Sequence, residues 1–441
     1  MSSEDKIIHP RVLIVGTVPY NKRSTSRAFE AYFHGWEKEN LAQVFSNTRT
    51  PCKGHCGTLF QITDHRLLKR RFNKKTDTGK IFRYEDLPDE WVDNDLEIKS
   101  DSVKKMYKIG ARHTPLTHLI RKAIWKKKFW CTEKFNKWLD EFNPECVFLS
   151  FSDDFFIPEI ALYVAKKFDI PIVSSIGDDY YFNERFSLSP FYLLYKKSYK
   201  RLIRKVLAYK GSAIYISDKI RDKYNSEFGL NGKTVYLTSE IKRKEFKPIN
   251  KNNPIITYFG NIRMGRNDSL NEIGYALGGI NKDYRIEVYS GENDDKYYKV
   301  FGKNPFIKYC GAVPYSEVVK KMSESDITVI VEGFKKKDID QSRYSLSTKA
   351  ADALASGVAI LSYGSDECGI IEYLKSTGAS VVCSDKKELG GKIYELINDE
   401  ELQKKQYDNA VKMTKEHHNL CVSCKVFESV VKDATDKGKS K

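Results

Sequence analysis

Short apolar runs alternate with longer amphipathic stretches along most of this chain. RVLIV at 11–15 ends at Gly16, a polar loop covers 17–26, a helical stripe runs over 28–39, and LAQVF follows at 41–45. A buried strand, a loop, a helix and a second strand in this order open a parallel α/β sheet. Residues 65–110 are irregular and highly charged, and read as insertions and surface helices. Regularity then returns. The pattern predicts helices over 129–142, 157–168 and 190–209, the last strongly basic, with strands at 146–151, 171–175, 213–217 and 234–238.

The segment KRKEFKPINKNN at 242–253 is polar, contains proline and has no apolar period, which marks a seam. After it the alternation restarts, with strands predicted at 255–259, 284–290, 306–309, 327–331, 358–362 and 379–382. Helices are predicted at 268–277, 316–323, 348–356, 386–397 and 400–417. This is the pattern of two doubly wound, Rossmann-like α/β domains, 1–247 and 248–425. A basic tail at 426–441 is a candidate to cross back to the first domain. In such pairs ligands lie beyond the carboxyl ends of the strands, here in an expected cleft between facing domains.

Composition narrows the class. With 41% hydrophobic and 13% aromatic residues, two filled cores are within reach, which argues against a disordered or collagen-like chain. Nine cysteines, an odd number spread from Cys52 to Cys424, suit reduced thiols better than a disulfide framework. No run approaches the roughly 18 apolar residues of a spanning helix, and MSSEDKIIHPRVLIVG does not read as a cleavable leader. A cytoplasmic protein is expected. The net charge of +16 is uneven: residues 1–250 hold 46 Lys and Arg against 31 Asp and Glu, whereas 251–441 hold 29 against 28. The two halves are therefore expected to face different partners.

Two loops carry the clearest chemistry. At 345–360 (SLSTKAADALASGVAI) small hydroxyl residues lead into a helix whose first turn holds Thr348 and Lys349. A helix start offers free N–H groups and the positive end of the macrodipole, both suited to a phosphate, and Lys349 adds a point charge there. Asp352, one turn deeper on the same face, can accept bonds from vicinal hydroxyls as ribose-gripping acids do. At 258–267 (YFGNIRMGRN) a strand, Gly260, a short loop with Arg263 and Arg266, and then a helix bring backbone and guanidinium to a diphosphate. Gly260 and Gly265 are too far apart for a dinucleotide fingerprint.

With YFGNIRMGRNDSL, ITVIV and STKAADALASGVAILSYG, the second half resembles the nucleotide-sugar domain of GT-B glycosyltransferases, most like the group 1 family (family 4). The first half, with VLIVG and IPIVSSIGDD, is compatible. The resemblance implies that Arg266 and Lys349 bind the donor diphosphate, with Arg263 as substitute for the Arg, and that Asp352 holds the ribose. It implies a sugar contact for Glu332, at the end of strand 327–331, because Tyr344 stands where the family has its first glutamate. It also implies a nucleotide-sugar substrate, no separate cofactor, and a glycan or lipid-linked glycan acceptor.

On the acceptor side, Gly177 occupies a position where the family often has histidine, leaving Asp178 and Asp179 as candidates to orient or deprotonate an acceptor hydroxyl. Asp153 and Asp154 are the rival pair, and for either pair an N-cap is the bland reading. Gly16 and Thr17 are expected to line the acceptor side. Cys52, His55 and Cys56, and His417, His418, Cys421 and Cys424, lack a closed zinc pattern, so no metal is expected. The basic and aromatic stretches 121–130 and 195–205 favour an anionic membrane surface over nucleic acid. The expected activity is metal-independent sugar transfer in making a cell-surface polysaccharide. A non-catalytic scaffold of the same fold that binds a nucleotide sugar or glycan is the alternative, and an epimerase the third reading.

Overall fold

The computed structural model describes residues 9–16, 18–21, 25–90, 108, 113–183 and 187–439. Thr17 lies outside them. The chain divides into two units, one made of Met1–Val235 with Cys424–Lys441, the other of Tyr236–Ser423. The division precedes the polar 242–253 stretch, so the expected boundary at 247/248 is corrected to 235/236. The reason lies in hydrogen bonding. The Ile249 amide donates to Gln403 Oε1 at 3.0 Å, Lys244 Nζ to the Ser325 carbonyl at 2.5 Å, and Arg243 to the Leu354 carbonyl at 2.6 Å, all within the second unit.

The first unit holds an eight-stranded sheet. Its strands are β1 (Val12–Val15), β2 (Leu41–Phe45), β3 (Thr58–Ile62), β4 (Gly79–Arg83), β5 (Cys146–Ser150), β6 (Ile172–Ile176), β7 (Gly211–Tyr215) and β8 (Lys233–Thr234). The order is β4-β3-β2-β1-β5-β6-β7-β8, parallel except for the β3–β4 pair. The strand pair β3 and β4 was not expected from the pattern. β4 is an edge strand whose charged Lys80 and Arg83 face solvent, as edges require, so it carries no apolar run.

Side chains alternate across this sheet, and each face has its own core. Leu13 and Val15 join Phe60, Trp125, Trp130, Phe135 and Trp138 on one side. Val12 and Ile14 join Phe33, Phe148 and Phe427 on the other. Trp125 and Trp130 are 1% and 2% exposed, and Trp125 stacks on Phe156 with centroids 3.7 Å apart. This corrects the reading of 121–130 as a surface stretch: its tryptophans are core. The helix expected over 129–142 is interrupted, with Lys127–Trp130 followed by Glu133–Phe142, because Thr132 caps a new start by accepting from the Phe135 amide.

The second unit holds β9 (Ile256–Phe259), β10 (Ile286–Tyr289), β11 (Ile307–Gly311), β12 (Ile327–Val331), β13 (Ala359–Tyr363) and β14 (Val381–Cys383). All are parallel, in the order β11-β10-β9-β12-β13-β14. That is the doubly wound order whose direction reverses between the first and fourth strands. In each unit the reversal sits beside the first strand, at β1/β5 and at β9/β12. Among the described residues no helix is long and apolar enough to cross a membrane.

Candidate functional site

The β9/β12 switch point gathers most of the residues expected to hold a diphosphate. β9 ends at Phe259, just before Gly260, and the loop that follows reaches helix Arg266–Ile280, so Arg266 is the first residue of that helix. Arg266 forms a two-pronged pair with Glu332, at the end of β12: Nε to Oε2 is 3.1 Å and Nη2 to Oε1 2.8 Å. Both are largely buried, with side chains 13% and 4% exposed. Burial works against the Arg266 charge, but the Glu332 carboxylate outweighs it and raises the guanidinium pKa.

Lys349 enters from the other side. Ser347 caps helix Thr348–Ser356 by accepting from the Lys349 amide, and Thr348 stands exposed at its start. The Lys349 ammonium reaches across to donate to the Tyr258 hydroxyl at 3.0 Å. Desolvation, followed by repulsion from Arg266 and partly offset by Glu332, pushes its pKa down to about 7. Two backbone positions make the gathering possible. Gly260 has φ +133°, and Gly265, with φ +75°, lets the loop pass where a β-carbon would come within 2.9 Å of Gly333 Cα.

Two expected donor residues lie differently. Arg263 is half-exposed and is drawn off to Glu292 and the Tyr297 ring, apart from the Arg266–Lys349 pair. Asp352 is buried at 7% exposure, and its Oδ1 already accepts from Ser239 at 2.6 Å and Tyr315 at 3.3 Å. Any ribose held there would share the carboxylate with those hydroxyls.

In the first unit, Gly16 closes β1 beside Ser150 at the end of β5. The loop after β5 brings Asp153 and Asp154 to the same switch point. Asp154 is 3% exposed and pairs with Arg121, which also pairs with Asp64 at 3.2 Å. His118 is sandwiched between the two acids, with Nε2 3.2 Å from Asp153 Oδ2 and Nδ1 3.3 Å from Asp154 Oδ1. Burial disfavours its charge, but the two carboxylates prevail and raise its pKa to about 9. His118 and Arg121 escaped sequence reasoning. Their signal was a His and an Arg one turn apart in a short helix, Pro115–Ile124, of which only the end from Arg121 onward fell within the stretch read as basic and aromatic.

Asp178 and Asp179 do not act alike. Asp179 Oδ1 accepts from the amides of Tyr181 and Phe182 and from the Tyr224 hydroxyl, which fixes the turn after β6. Asp178 still reaches solvent, and its carboxyl is raised above the ordinary range, first by desolvation and then by the charges of Asp179 and Asp153.

Two doubly wound units of this construction define the GT-B fold. The chain is similar over 97% of its length to sucrose-phosphate synthase from Thermosynechococcus elongatus (98% of that chain, 10% identity, TM-score 0.57). It is likewise similar to HepE from Anabaena solved with UDP (96% of this chain, 100% of that one, 10% identity, TM-score 0.60). A third is WaaG, a glycosyltransferase involved in lipopolysaccharide biosynthesis (98% and 100%, 11% identity, TM-score 0.54). No family model and no curated protein matches the sequence.

Proposed function

We propose that this chain transfers a sugar from a nucleoside-diphosphate donor to a hydroxyl group on a precursor of a cell-surface polysaccharide. The observation that carries the reading is the convergence of Arg266, Lys349 and the start of helix Thr348–Ser356 around Gly260. As the sugar–oxygen bond breaks, the leaving diphosphate gains negative charge. Fixed cations and helix amides stabilise that charge more than they stabilise the bound donor, and so lower the barrier. A diphosphate beside Lys349 also supplies the counter-charge that returns its proton. The cations take the place a divalent ion would hold on the diphosphate, so the donor step is read as metal-independent. Glu332, tied to Arg266, is read as the donor-sugar contact. Uridine diphosphate is the first nucleotide to test, since HepE was solved with UDP and with UDP-glucose.

Asp178, with its raised carboxyl, is the group best suited to take the acceptor proton. We place the protein on the cytoplasmic side of a membrane bearing a lipid-linked glycan. Leu188, Phe191, Leu193 and Leu194 are 83%, 49%, 54% and 56% exposed at the start of helix Pro190–Leu207, followed by Lys196, Lys197 and Lys200. Exposed apolar residues backed by lysines suit an anionic lipid surface.

The test is nucleotide release from a panel of sugar donors. Release that needs an acceptor and is lost in Lys349→Ala supports transfer. Donor binding without turnover under every acceptor points instead to the scaffold, and donor interconversion without acceptor to an epimerase.

A further inference from the structure

We infer that His113, His118 and Asp153 form a binding site for a divalent transition-metal ion of the zinc type. Among the described residues they are the one group of His, Cys, Asp and Glu whose possible ligand atoms, three in number, lie within 4.8 Å of one another. Both imidazoles aim a nitrogen at the same oxygen: Asp153 Oδ2 is 3.1 Å from His113 Nδ1 and 3.2 Å from His118 Nε2. Four ligands placed tetrahedrally around zinc at its usual bond lengths stand about 3.3 Å apart. Two edges of that figure are therefore already formed. The third, between the imidazole nitrogens, can close through His113, whose side chain is 54% exposed and has room to turn.

The surroundings do what the second layer of a metal site does. A ligating histidine ordinarily donates its other N–H to a carboxylate, which fixes the ring and its tautomer. His118 Nδ1 meets Asp154, Asp154 is held by Arg121, and Arg121 is held by Asp64, which also accepts from the Trp125 indole. The Tyr195 ring stacks on His118 at 4.9 Å, closing its other flank. On the backbone, Thr114 and Thr117 form a reciprocal cap at the start of helix Pro115–Ile124, which sets His113 just before the helix and His118 one turn inside it. Three aspartates against one arginine leave this network negative, as a cation requires. Two imidazoles with one carboxylate select zinc-like ions over magnesium or calcium. Three protein ligands leave a fourth position, beside the half-buried Asp153, for water or a substrate oxygen.

The cysteine-containing sets do not compete within the fold. Cys424 Sγ is turned to the Glu30 carbonyl, and His418 Nδ1 to the Leu237 carbonyl. The metal site stands independently of the donor reading, because it shares no residue with the Arg266–Lys349 site.

The test uses the full chain, stripped with a chelator and titrated with Zn²⁺ or Co²⁺ alone. One equivalent should bind, and Co²⁺ should show the intense visible bands of tetrahedral coordination. His113→Ala, a change at an exposed side chain, should weaken Zn²⁺ at least tenfold with the circular dichroism spectrum and UDP affinity unchanged. Asp154→Asn should weaken it roughly 10- to 100-fold. Cys421→Ser should leave it intact. Absence of stoichiometric binding, binding that survives both His113→Ala and His118→Gln, or binding lost in Cys421→Ser would overturn the assignment. Failure of UDP to bind would leave it standing.

Discussion

The side chain of Lys349 occupies the space that a β-carbon on residue 260 would need: its Cε lies 2.3 Å from that point and its Nζ 2.6 Å. The absence of a side chain at Gly260 is what lets the lysine cross to Tyr258. Gly260→Ala is therefore expected to displace Lys349 and to strain a backbone held at φ +133°. Stability should fall by about 1–3 kcal/mol. Calorimetric titration with UDP should show affinity reduced at least tenfold, and an unchanged affinity would separate Lys349 from the diphosphate.

Lys349 should give opposite pH signatures in folding and in binding. Its pKa is about 7 in the folded chain against an ordinary 10.5. Between those values the unfolded chain carries the extra proton, so stability rises with pH across this window, relative to Lys349→Met, and is level on either side. Diphosphate binding needs the charged lysine, so affinity should decline as pH climbs above about 7. Denaturant melts and UDP titrations from pH 6 to pH 10 read both slopes, which Lys349→Met should flatten.

Removing Arg266 alone leaves Glu332 buried without its counter-ion. Loss of one partner of a buried pair typically costs about 3–5 kcal/mol, whereas replacing both by apolar groups is often near neutral. Arg266→Ala should thus unfold well below the parent. Arg266→Met combined with Glu332→Leu should recover most of that stability and none of the UDP affinity. Recovery of binding in the double variant would rule out a diphosphate role for Arg266.

Phe427 is fully buried and meets the rings of Tyr32, Phe33, Trp36 and Phe148. Phe427→Ala should destabilise the first unit by about 3–5 kcal/mol. Urea denaturation followed by near-ultraviolet circular dichroism would report it, and a loss below about 1 kcal/mol would contradict this packing.

Phe191→Ser with Leu194→Ser should lower co-sedimentation with vesicles of anionic lipid at least severalfold and leave the melting temperature unchanged, because both side chains are about half exposed. Equal sedimentation of parent and variant would remove the lipid reading of this surface.

Much of this architecture was legible in the chain. LAQVF and ITVIV, buried at every position, read as mainly apolar runs broken only by Gln43 and Thr328, and proved to be β2 and β12 residue for residue. That Arg266 and Lys349 come near each other was legible because a strand, a glycine and a helix start leave few places for a cation to go. What stayed hidden depends on distant partners. β4 is amphipathic only against β3, and Arg121 looks like a surface base until Asp64 and Asp154 are brought to it. Tyr195 and Tyr199 belong to a basic helix, yet Tyr199 is 1% exposed and Tyr195 covers His118. The boundary at 235/236 was missed because a polar segment was read as a linker, whereas its amides and cations are bonded to the second unit.

Because the first unit takes in both Met1–Val235 and Cys424–Lys441, it cannot be completed until the later piece has been made. The second unit is synthesised whole between those pieces and can fold while still tethered to the ribosome. Until Phe427, Val430 and Val431 arrive, Phe33 and Phe148 lack their cover. Nascent chains stalled before residue 424 should therefore expose that greasy face and lean on chaperones, and arrival of Cys424–Lys441 is the event that seals it.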